Sequence, residues 1–465
     1  MSYTSAIVLL WSLYLIALSI MIIWQKRAPI ATLSWILSLA ALPYIGLIIY
    51  YVFGPQKIKR RRMRRVASKL RLTGGLAAAA ANDITPPVTA VQMAKLGTAT
   101  SYLPPASCSR LEILVDGGAA FSAIFTAIEQ AEHSVHLEYY IYEPDHIGLA
   151  LARLLARKAQ EGVKVRLLID ALGSKRLGKK FLGPMLNAGV VIAFFHHTTF
   201  RKFRPVINMR THRKIVVCDD RIGFTGGINI TDEEDERINP HAYHDLHLLL
   251  EGQAVERLQQ VFWEDWFYTT GEQRQAAQTL TATPGDQIVQ VLQSGPDNEL
   301  APIYRTYLAT INAAQERVWL TTPYFVPDEA AMTALTSAAL RGVDVRVMVP
   351  RKSDSRLVTL AARSYFEELT QAGVQVWEYT TRMLHSKTLV VDRSYAMIGT
   401  ANFDNRSFRL NFEVSVLGYG EYLADRLAIE FEKDLEHCVR VGRPRKISKL
   451  EAFGEACARL CSPLL

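Results

Sequence analysis

Two long apolar stretches, Ser5 to Trp24 and Ile30 to Phe53, open the chain. Each holds about 20 residues or more, the length that an α-helix needs to cross a hydrocarbon core of about 30 Å. The break between them is short and contains two cations and a proline. The pattern therefore predicts a two-helix transmembrane hairpin over residues 1–55. A cleaved signal peptide is the alternative for the first stretch, but no basic residue precedes it and a second apolar stretch follows.

The pattern changes after the second stretch. Residues 56–110 begin with a basic segment and continue with Gly, Ala, Thr and Pro, which predicts a juxtamembrane segment and a linker. From there on, β-branched runs alternate with apolar helical patterns in an order that occurs twice. The predicted fold class is α/β, with two pseudo-repeated α/β/α sandwich domains over 111–283 and 284–446. Each is expected to contain a largely parallel sheet with helices on its faces.

Two segments depart from the repeat. The first half carries an insertion, Phe195 to Asn208, that is rich in His, Arg, Lys and Phe and that the second half lacks. Residues 447–465 place apolar side chains three and four positions apart, which predicts an amphipathic C-terminal helix. This helix could lie at a membrane interface or pack on the domain, and the pattern leaves both open.

The charge of the chain is concentrated next to the apolar stretches. The net charge is +8, but 11 of the 53 cations lie before residue 72, where no acid precedes Asn82. Residues 72–465 therefore hold 42 cations against 45 acids, a net charge of −3, which disfavours nucleic acid as a partner. The basic cluster after the second stretch predicts a cytoplasmic location for Lys57 onward. It either acts as a topology signal or also binds anionic lipid.

One motif occurs twice in the α/β region, at a constant offset of 173 residues. The copies are His212, Lys214, Asp219, Gly226-Gly227 and Asn229, and His385, Lys387, Asp392, Gly399-Thr400 and Asn402. On an extended segment the His and Lys point to the same face, and the Asp follows at a turn, where its carboxylate can accept backbone N–H groups. Neither half has a complete site, so the halves are expected to pack face to face with the motifs at their junction.

These residue types suit a phosphodiester. One imidazole can attack phosphorus while the other protonates the leaving alkoxide and then activates an incoming hydroxyl. Lys214, Lys387, Asn229 and Asn402 are expected to bind the non-bridging oxygens. No metal ion and no other cofactor is required for this chemistry, and none is predicted.

Both motif copies resemble the signature of the phospholipase D superfamily position by position. The predicted membrane layout is similar to that of the bacterial cardiolipin synthase branch. Three further segments resemble the same branch: Thr321 to Pro327, Asn402 to Ser407 and the terminal Ser-Pro-Leu-Leu. The resemblance implies that His212 is the nucleophile and His385 the general acid and base. It also points to Asp245 and Glu413 as the carboxylates that orient the imidazoles. The superfamily counts Asp219 and Asp392 with the catalytic residues, whereas their turn positions favour a structural role.

The resemblance implies a specific reaction. Two phosphatidylglycerols give cardiolipin and glycerol by metal-independent phosphatidyl transfer, through a phosphatidyl-histidine intermediate. The expected partners are phosphatidylglycerol, other anionic phospholipids and the membrane, and the oligomeric state stays open. The expected location is the bacterial cytoplasmic (inner) membrane, with a multi-pass anchor and the catalytic region on the cytoplasmic side. A phospholipase D-type hydrolase that releases phosphatidic acid is the alternative, since only the acceptor differs.

Two groups of residues outside the motifs have weaker interpretations. His241, His244 and His247 recur every third residue, a spacing that does not converge on a strand, so a metal site is disfavoured. The five cysteines are scattered and odd in number, which is typical of a reducing compartment.

Overall fold

The computed structural model describes residues 3–24, 29–42, 65, 86–196, 209–274 and 285–465. The chain divides into two compact units, residues 1–61 with 198–208 and residues 62–197 with 209–465. The described residues leave out most of the insertion Phe195 to Asn208 and most of the basic cluster that follows the second apolar stretch.

The first unit contains two helices in the predicted apolar stretches. They are α1 (Tyr3–Ile23) and α2 (Pro29–Ala41), which pack against each other around Ile22 and Leu39. Among the described residues, no helix combines the length and the hydropathy needed to cross a membrane. The transmembrane assignment of residues 1–55 stays a prediction.

The second unit is a succession of helices and strands. Its helices are α3 (Val91–Ser101), α4 (Asp116–Glu129), α5 (His146–Gln160), α6 (Lys179–Asn187), α7 (Gln253–Thr270), α8 (Pro302–Ala313), α9 (Glu329–Leu340), α10 (Arg356–Arg363), α11 (Phe366–Gln371), α12 (Asn405–Arg409), α13 (Glu421–Leu435) and α14 (Lys449–Arg459). Its strands are β1 (Ala106–Cys108), β2 (Arg110–Val115), β3 (Ser134–Tyr139), β4 (Lys164–Asp170), β5 (Val191–Phe195), β6 (Ile215–Cys218), β7 (Ile222–Gly226), β8 (Leu246–Glu251), β9 (Gln287–Ser294), β10 (Arg317–Thr321), β11 (Phe325–Val326), β12 (Asp344–Pro350), β13 (Gln375–Tyr379), β14 (Thr388–Val391), β15 (Tyr395–Gly399), β16 (Phe403–Asp404), β17 (Glu413–Tyr419) and β18 (Cys438–Arg440).

Two large sheets organise these elements. The first has the strand order β2-β8-β7-β6-β3-β4-β5, and the second has the order β1-β9-β17-β15-β14-β10-β12-β13-β18. The central seven strands of the second sheet repeat the order of the first, with β9 in the place of β2 and β14 in the place of β6. This repeated topology agrees with the duplication seen in the sequence.

The expectation of largely parallel sheets is wrong. Within the two large sheets as described, parallel pairing is confined to β3-β4-β5 and β10-β12-β13, and the other neighbours are antiparallel. The motif strands explain the difference. β6 and β7 are joined by residues 219–221 alone, and a connection of that length permits a hairpin but not the crossover that a parallel pair requires.

Part of the segment predicted as a linker belongs to the second half. Strand β1 pairs antiparallel with β9 at the edge of the second sheet. The side chain of Gln290 on β9 donates hydrogen bonds to the carbonyl oxygens of Leu103 at 2.8 Å and of Ala94, on α3, at 3.3 Å. Residues 86–110 are therefore structured rather than a free linker.

The two halves meet face to face through the segments that carry the motifs. Thr211 forms a backbone bridge with Phe412, and His244 forms one with Leu384. The backbone N–H of His212 donates to the carbonyl of Phe412 at 2.9 Å, and that of His385 donates to the carbonyl of His244 at 2.8 Å. The main chain entering each motif strand is thus hydrogen-bonded to the opposite half.

Candidate active site

Each motif histidine lies just ahead of a buried strand. His212 precedes β6 and His385 precedes β14, and every residue of both strands is buried. A cavity of about 350 Å³ lies between the halves and is lined by both imidazoles and by the motif amides Asn229 and Asn402. The structure therefore brings together two predicted site residues from each half.

The imidazoles are held by carboxylates in a crossed arrangement. His212 Nδ1 lies 3.0 Å from Glu413 Oε2, and His385 Nδ1 lies 2.6 Å from Asp245 Oδ2. Each orienting carboxylate belongs to the half that does not supply the histidine. A carboxylate accepts a hydrogen bond from Nδ1–H, so the arrangement selects the Nδ1–H tautomer and leaves Nε2 with its lone pair for phosphorus.

Burial determines the charge state of the imidazoles. It lowers the pKa of His212, against the opposing effect of Glu413, and it lowers the pKa of His385 to about 4, with the Lys387 ammonium acting in the same direction. Both rings are therefore neutral at neutral pH before an anion arrives. A bound phosphodiester brings negative charge, which raises both imidazole pKa values and favours a protonated ring.

The motif lysines are fully buried, and neither of them lines the cavity. Lys214 Nζ donates to the His212 carbonyl at 2.9 Å, and Lys387 Nζ lies 3.4 Å from Asp245 Oδ2. Burial and the repulsion of Lys387 lower the pKa of Lys214 to about 7, and burial lowers the pKa of Lys387 as well. Two ammonium groups that destabilise each other inside the protein form a site that an entering anion stabilises.

The motif amides have different neighbours in the two halves. The side-chain amide and the backbone N–H of Asn229 donate to Glu234 Oε1 at 3.0 and 3.2 Å. The backbone N–H of Asn402 instead donates to the hydroxyl of Ser407 at 3.1 Å. Glu234 and Ser407 are again 173 positions apart, so the register of the duplication extends to them. Glu234 Oε1 also lies 3.7 Å from His385 Nδ1, so His385 faces two carboxylates.

Asp219 and Asp392 occupy structural positions. Asp219 accepts three backbone N–H bonds of 2.8 Å from residues 132–134, and Asp392 does the same for residues 315–317 at 2.8 to 3.3 Å. Both lie in the left-handed region, with φ of 54° and 52°, at the turn that ends the motif strand. Neither lines the cavity. Their placement in the catalytic set is therefore corrected to the structural role that their turn positions favour.

The glycine pair of the first motif has a steric reason. A Cβ atom added at Gly227 would lie 2.1 Å from both carboxylate oxygens of Asp245, which is closer than such atoms approach in proteins. The second motif has Thr400 at this position, and its hydroxyl donates to Glu413. One half thus leaves room for its carboxylate, whereas the other half contacts its carboxylate through a hydroxyl.

Several cavity residues have no signal in the motif pattern. The ring of Tyr140 lies 5.1 Å from that of His212, and the ring of Tyr243 lies 5.4 Å from that of His385, measured between centroids. Arg210 and Arg406 also line the cavity. Arg210 could have been found because it lies two residues before His212 on an extended segment. Glu234 could have been found by extending the offset, but the tyrosines come from loops that only the fold places here.

The three other histidines do not converge. His244 lies between Asp116 and Asp434, with Nδ1 and Nε2 at 2.7 and 2.8 Å from their carboxylate oxygens. Burial alone lowers the pKa of His244, but these two hydrogen bonds raise it to about 10. Burial lowers the pKa of His247 to about 3. His244 therefore acts as a buried cation that links the first half to α13 of the second.

Among the described residues, one group of side chains has the types and the spacing to hold a metal ion. It consists of Glu234, Asp245 and His385, whose ligand atoms lie within 4.8 Å of one another. The Lys387 ammonium already lies 3.4 Å from Asp245 and supplies positive charge at this position. The chemistry of the two imidazoles does not call on an ion there.

Family models match both parts of the chain. The model described as "Cardiolipin synthase, PLD-like domain" matches residues 124–266 and 307–435, which contain the two motifs. The model described as "Phospholipase_D-nuclease N-terminal" matches residues 9–55.

Curated relatives match over nearly the whole chain. A cardiolipin synthase of Geobacillus kaustophilus is 37% identical over 476 residues, which cover 98% of this chain and 93% of the relative. Cardiolipin synthase 1 of Bacillus anthracis is 36% identical over 98% of this chain and 93% of its own length. The crystal structure of phosphatidylserine synthase of Haemophilus influenzae shares the fold, with a TM-score of 0.59 at 15% identity over 80% of this chain and 99% of that one. The chain therefore belongs to the cardiolipin synthase family, whose members carry phospholipase D-like domains.

Proposed function

We propose that this protein is a cardiolipin synthase, which transfers a phosphatidyl group from one phosphatidylglycerol to another and releases glycerol. One observation carries the proposal. Two imidazoles, one from each half, line a single cavity with Nδ1 held by a carboxylate and Nε2 left for a phosphate. Family membership supports the choice of lipid, and no metal ion or cofactor enters the reaction.

The first step forms the phosphatidyl-histidine. Nε2 of His212 attacks phosphorus, so that a P–N bond forms while the P–O bond to the glycerol head group breaks. The imidazolium of His385 gives its proton to the departing glycerol oxygen. Glu413 stabilises the positive charge that develops on His212 through the Nδ1 hydrogen bond.

The second step reverses these roles. His385, now neutral, takes the proton of the terminal hydroxyl of a second phosphatidylglycerol. That oxygen attacks phosphorus, and the P–N bond to His212 breaks. One phosphodiester has been exchanged for another, so the reaction needs no nucleotide. Lys214, Lys387 and the two motif asparagines neutralise and orient the non-bridging oxygens in both steps.

The proposal is tested by trapping the intermediate. Purified protein in vesicles of phosphatidylglycerol with labelled acyl chains is expected to form cardiolipin and a transient acid-labile lipid adduct. His212→Ala is expected to form neither, whereas His212→Ala with full activity refutes the mechanism. If wild-type protein releases phosphatidic acid instead of cardiolipin, the acceptor is water and the protein is a hydrolase of the phospholipase D type.

The membrane location and domain boundaries complete the proposal. Residues 1–55 form a two-helix membrane anchor, and residues 56–110 connect it to the halves 111–283 and 284–446 and include the edge strand β1 of the second sheet. The body lies on the cytoplasmic side of a bacterial inner membrane. The support is the apolar sequence up to Phe53 and the cations from Lys57 to Arg71. Protease added outside intact cells is expected to leave the body uncut, and its digestion contradicts this orientation.

A further inference from the structure

The C-terminal helix α14 is inverted relative to the usual surface helix. Its large apolar side chains point away from the protein: Leu450 is 81% exposed, Phe453 68% and Leu460, just after the helix, 82%. The side chains that it buries are Glu455 and Ala458. The stripe predicted from the sequence is therefore present, but it faces outward.

Polar contacts fix this orientation. Arg445 pairs with both carboxylate oxygens of Glu455, at 2.8 and 2.9 Å. The guanidinium of Arg459 lies over the ring of Tyr365 at 4.3 Å, and the Tyr365 hydroxyl donates to Ser462 at 2.9 Å. An inward-facing apolar stripe requires breaking all of these contacts, so the exposed stripe is a defined feature of the fold.

The segment that follows α14 and the helix on which α14 packs both reach the active-site cavity. The chain that leaves α14 ends at Leu465, which lines the cavity and whose carbonyl accepts the backbone N–H of Arg406 at 2.9 Å. Helix α10, against which α14 packs, contributes Val358 to the cavity wall, and its Leu357 is 42% exposed. The helix on which α14 packs therefore carries an exposed apolar side chain and also a residue of the cavity wall.

Exposed cations flank the stripe. Arg443, Lys446 and Lys449 are exposed at the start of α14. An apolar helix face bordered by Lys and Arg is the pattern of a helix that lies in the interface of an anionic bilayer. A scattered exposed apolar residue needs no explanation, but a continuous stripe at helical spacing indicates a binding surface.

We propose that α14 and its flanking cations dock the catalytic body on an anionic phospholipid bilayer, next to the cavity through which lipid enters. The choice of lipid rests on the proposed function. The apolar side chains enter the boundary between head groups and acyl chains, and the cations contact phosphates. A phosphatidylglycerol molecule can then pass from the bilayer to the imidazoles without its acyl chains crossing water.

The test uses full-length protein reconstituted in phosphatidylglycerol vesicles. The docking variant is Leu450→Ser/Phe453→Ser/Leu460→Ser. The matched control is Leu340→Ser, which is 74% exposed but lies before β12, at the opposite end of that strand from the cavity residue Asp354. Withdrawing one such side chain from water changes a binding constant by about tenfold or more, and three such factors multiply to about 1000-fold. We therefore expect the triple variant to lose about 1000-fold in kcat/KM on vesicles. On a water-soluble short-chain phosphatidylglycerol it should stay within about twofold of wild type. The control should match wild type on both substrates.

A second measurement reads docking without catalysis. Cys457 is exposed on α14, so it can carry a fluorophore in a Cys438→Ser/Cys461→Ser background. Docking predicts strong quenching of this fluorophore by lipids that carry a nitroxide on the acyl chain, and loss of the quenching in the triple variant. Absent quenching in wild type, or quenching and vesicle activity unchanged in the triple variant, overturns the proposal. So does concentration-dependent self-association that the triple variant abolishes, because the stripe then binds a second copy. If quenching occurs but no cardiolipin forms, the proposed function fails and the docking stands.

Discussion

Replacing Asp245 by Asn tests the crossed pairing directly. The substitution keeps the size of the side chain and removes its negative charge, 2.6 Å from His385 Nδ1 and 3.4 Å from Lys387 Nζ. A pair of unit charges about 4 Å apart is worth about 4 kcal/mol at an effective dielectric constant of about 20. Glu234, at 3.7 Å from the same ring nitrogen, supplies part of this stabilisation in the variant. We therefore expect the variant to stabilise the protonated form of His385 by about 3 kcal/mol less than wild type does, which lowers the rate at which glycerol leaves by about 100-fold.

The pH dependence separates this effect from general damage. Burial lowers the pKa of His385 and Asp245 opposes that effect, so removing the charge lowers the pKa further. A lower pKa means that less of the acid is protonated at a given pH. At any pH above the His385 pKa of about 4, both proteins lose the protonated acid in parallel as the pH rises, so the activity of Asp245→Asn relative to wild type should be constant from pH 8 to 5. That ratio should rise as the pH falls through about 4, and the alkaline limb of the kcat/KM profile should move to lower pH.

The assay measures adduct formation in a single turnover and cardiolipin formation at steady state, on vesicles of phosphatidylglycerol. Asp392→Asn is the matched control, since its carboxylate caps backbone N–H groups away from the cavity. That control should melt at a lower temperature while its folded fraction keeps activity within about threefold of wild type. Asp245→Asn with activity within threefold of wild type, or with an unchanged pH profile, refutes the reasoning.

Two further substitutions probe the same site, and a third probes the contact that His244 makes between the halves. Burial raises the pKa of Glu234, so this group is protonated more readily than an ordinary carboxylate. Glu234→Gln should therefore keep its activity within about threefold of wild type at pH 6, and the two activities should diverge as the pH rises. A ratio of variant to wild-type activity that stays constant with pH contradicts this prediction. Gly227→Ala places a methyl group against Asp245 and should lower turnover about tenfold, whereas Gly183→Ala, which meets no atom within 4 Å, should not. The pKa of His244 is raised to about 10, so its contribution to stability is fully present below about pH 6.5 and is lost as the pH rises through 10. His244→Gln should lower the free energy of unfolding by about 3–5 kcal/mol at pH 6 and should flatten its fall toward pH 10, as measured by denaturant titration.

The sequence alone determined the elements that depend on local pattern. The alternation of strands and helices is visible in the sequence because strands and helices impose different spacings on the residues that share a face. The duplication is visible because the two motif copies have the same spacing at a constant offset of 173 residues. The same reasoning places Asp219 and Asp392 at turns, where the structure has them accepting backbone N–H groups. The convergence of His212 and His385 also follows, because two incomplete halves complete one site only by meeting.

The tertiary structure decided what depends on contacts between distant segments. The spacing of Asp245 and Glu413 from the motifs says nothing of which imidazole each one contacts, and only the packing of the halves crosses the pairs. The short turn between β6 and β7 makes that pair antiparallel, but the strands that flank this hairpin, β3 and β8, are set by contacts between distant segments. The outward face of α14 has the same cause, because the period of an apolar stripe identifies a face of a helix but not the direction in which it points. That direction is determined by Arg445 and Tyr365, which contact the opposite side of the helix and leave the stripe to face outward.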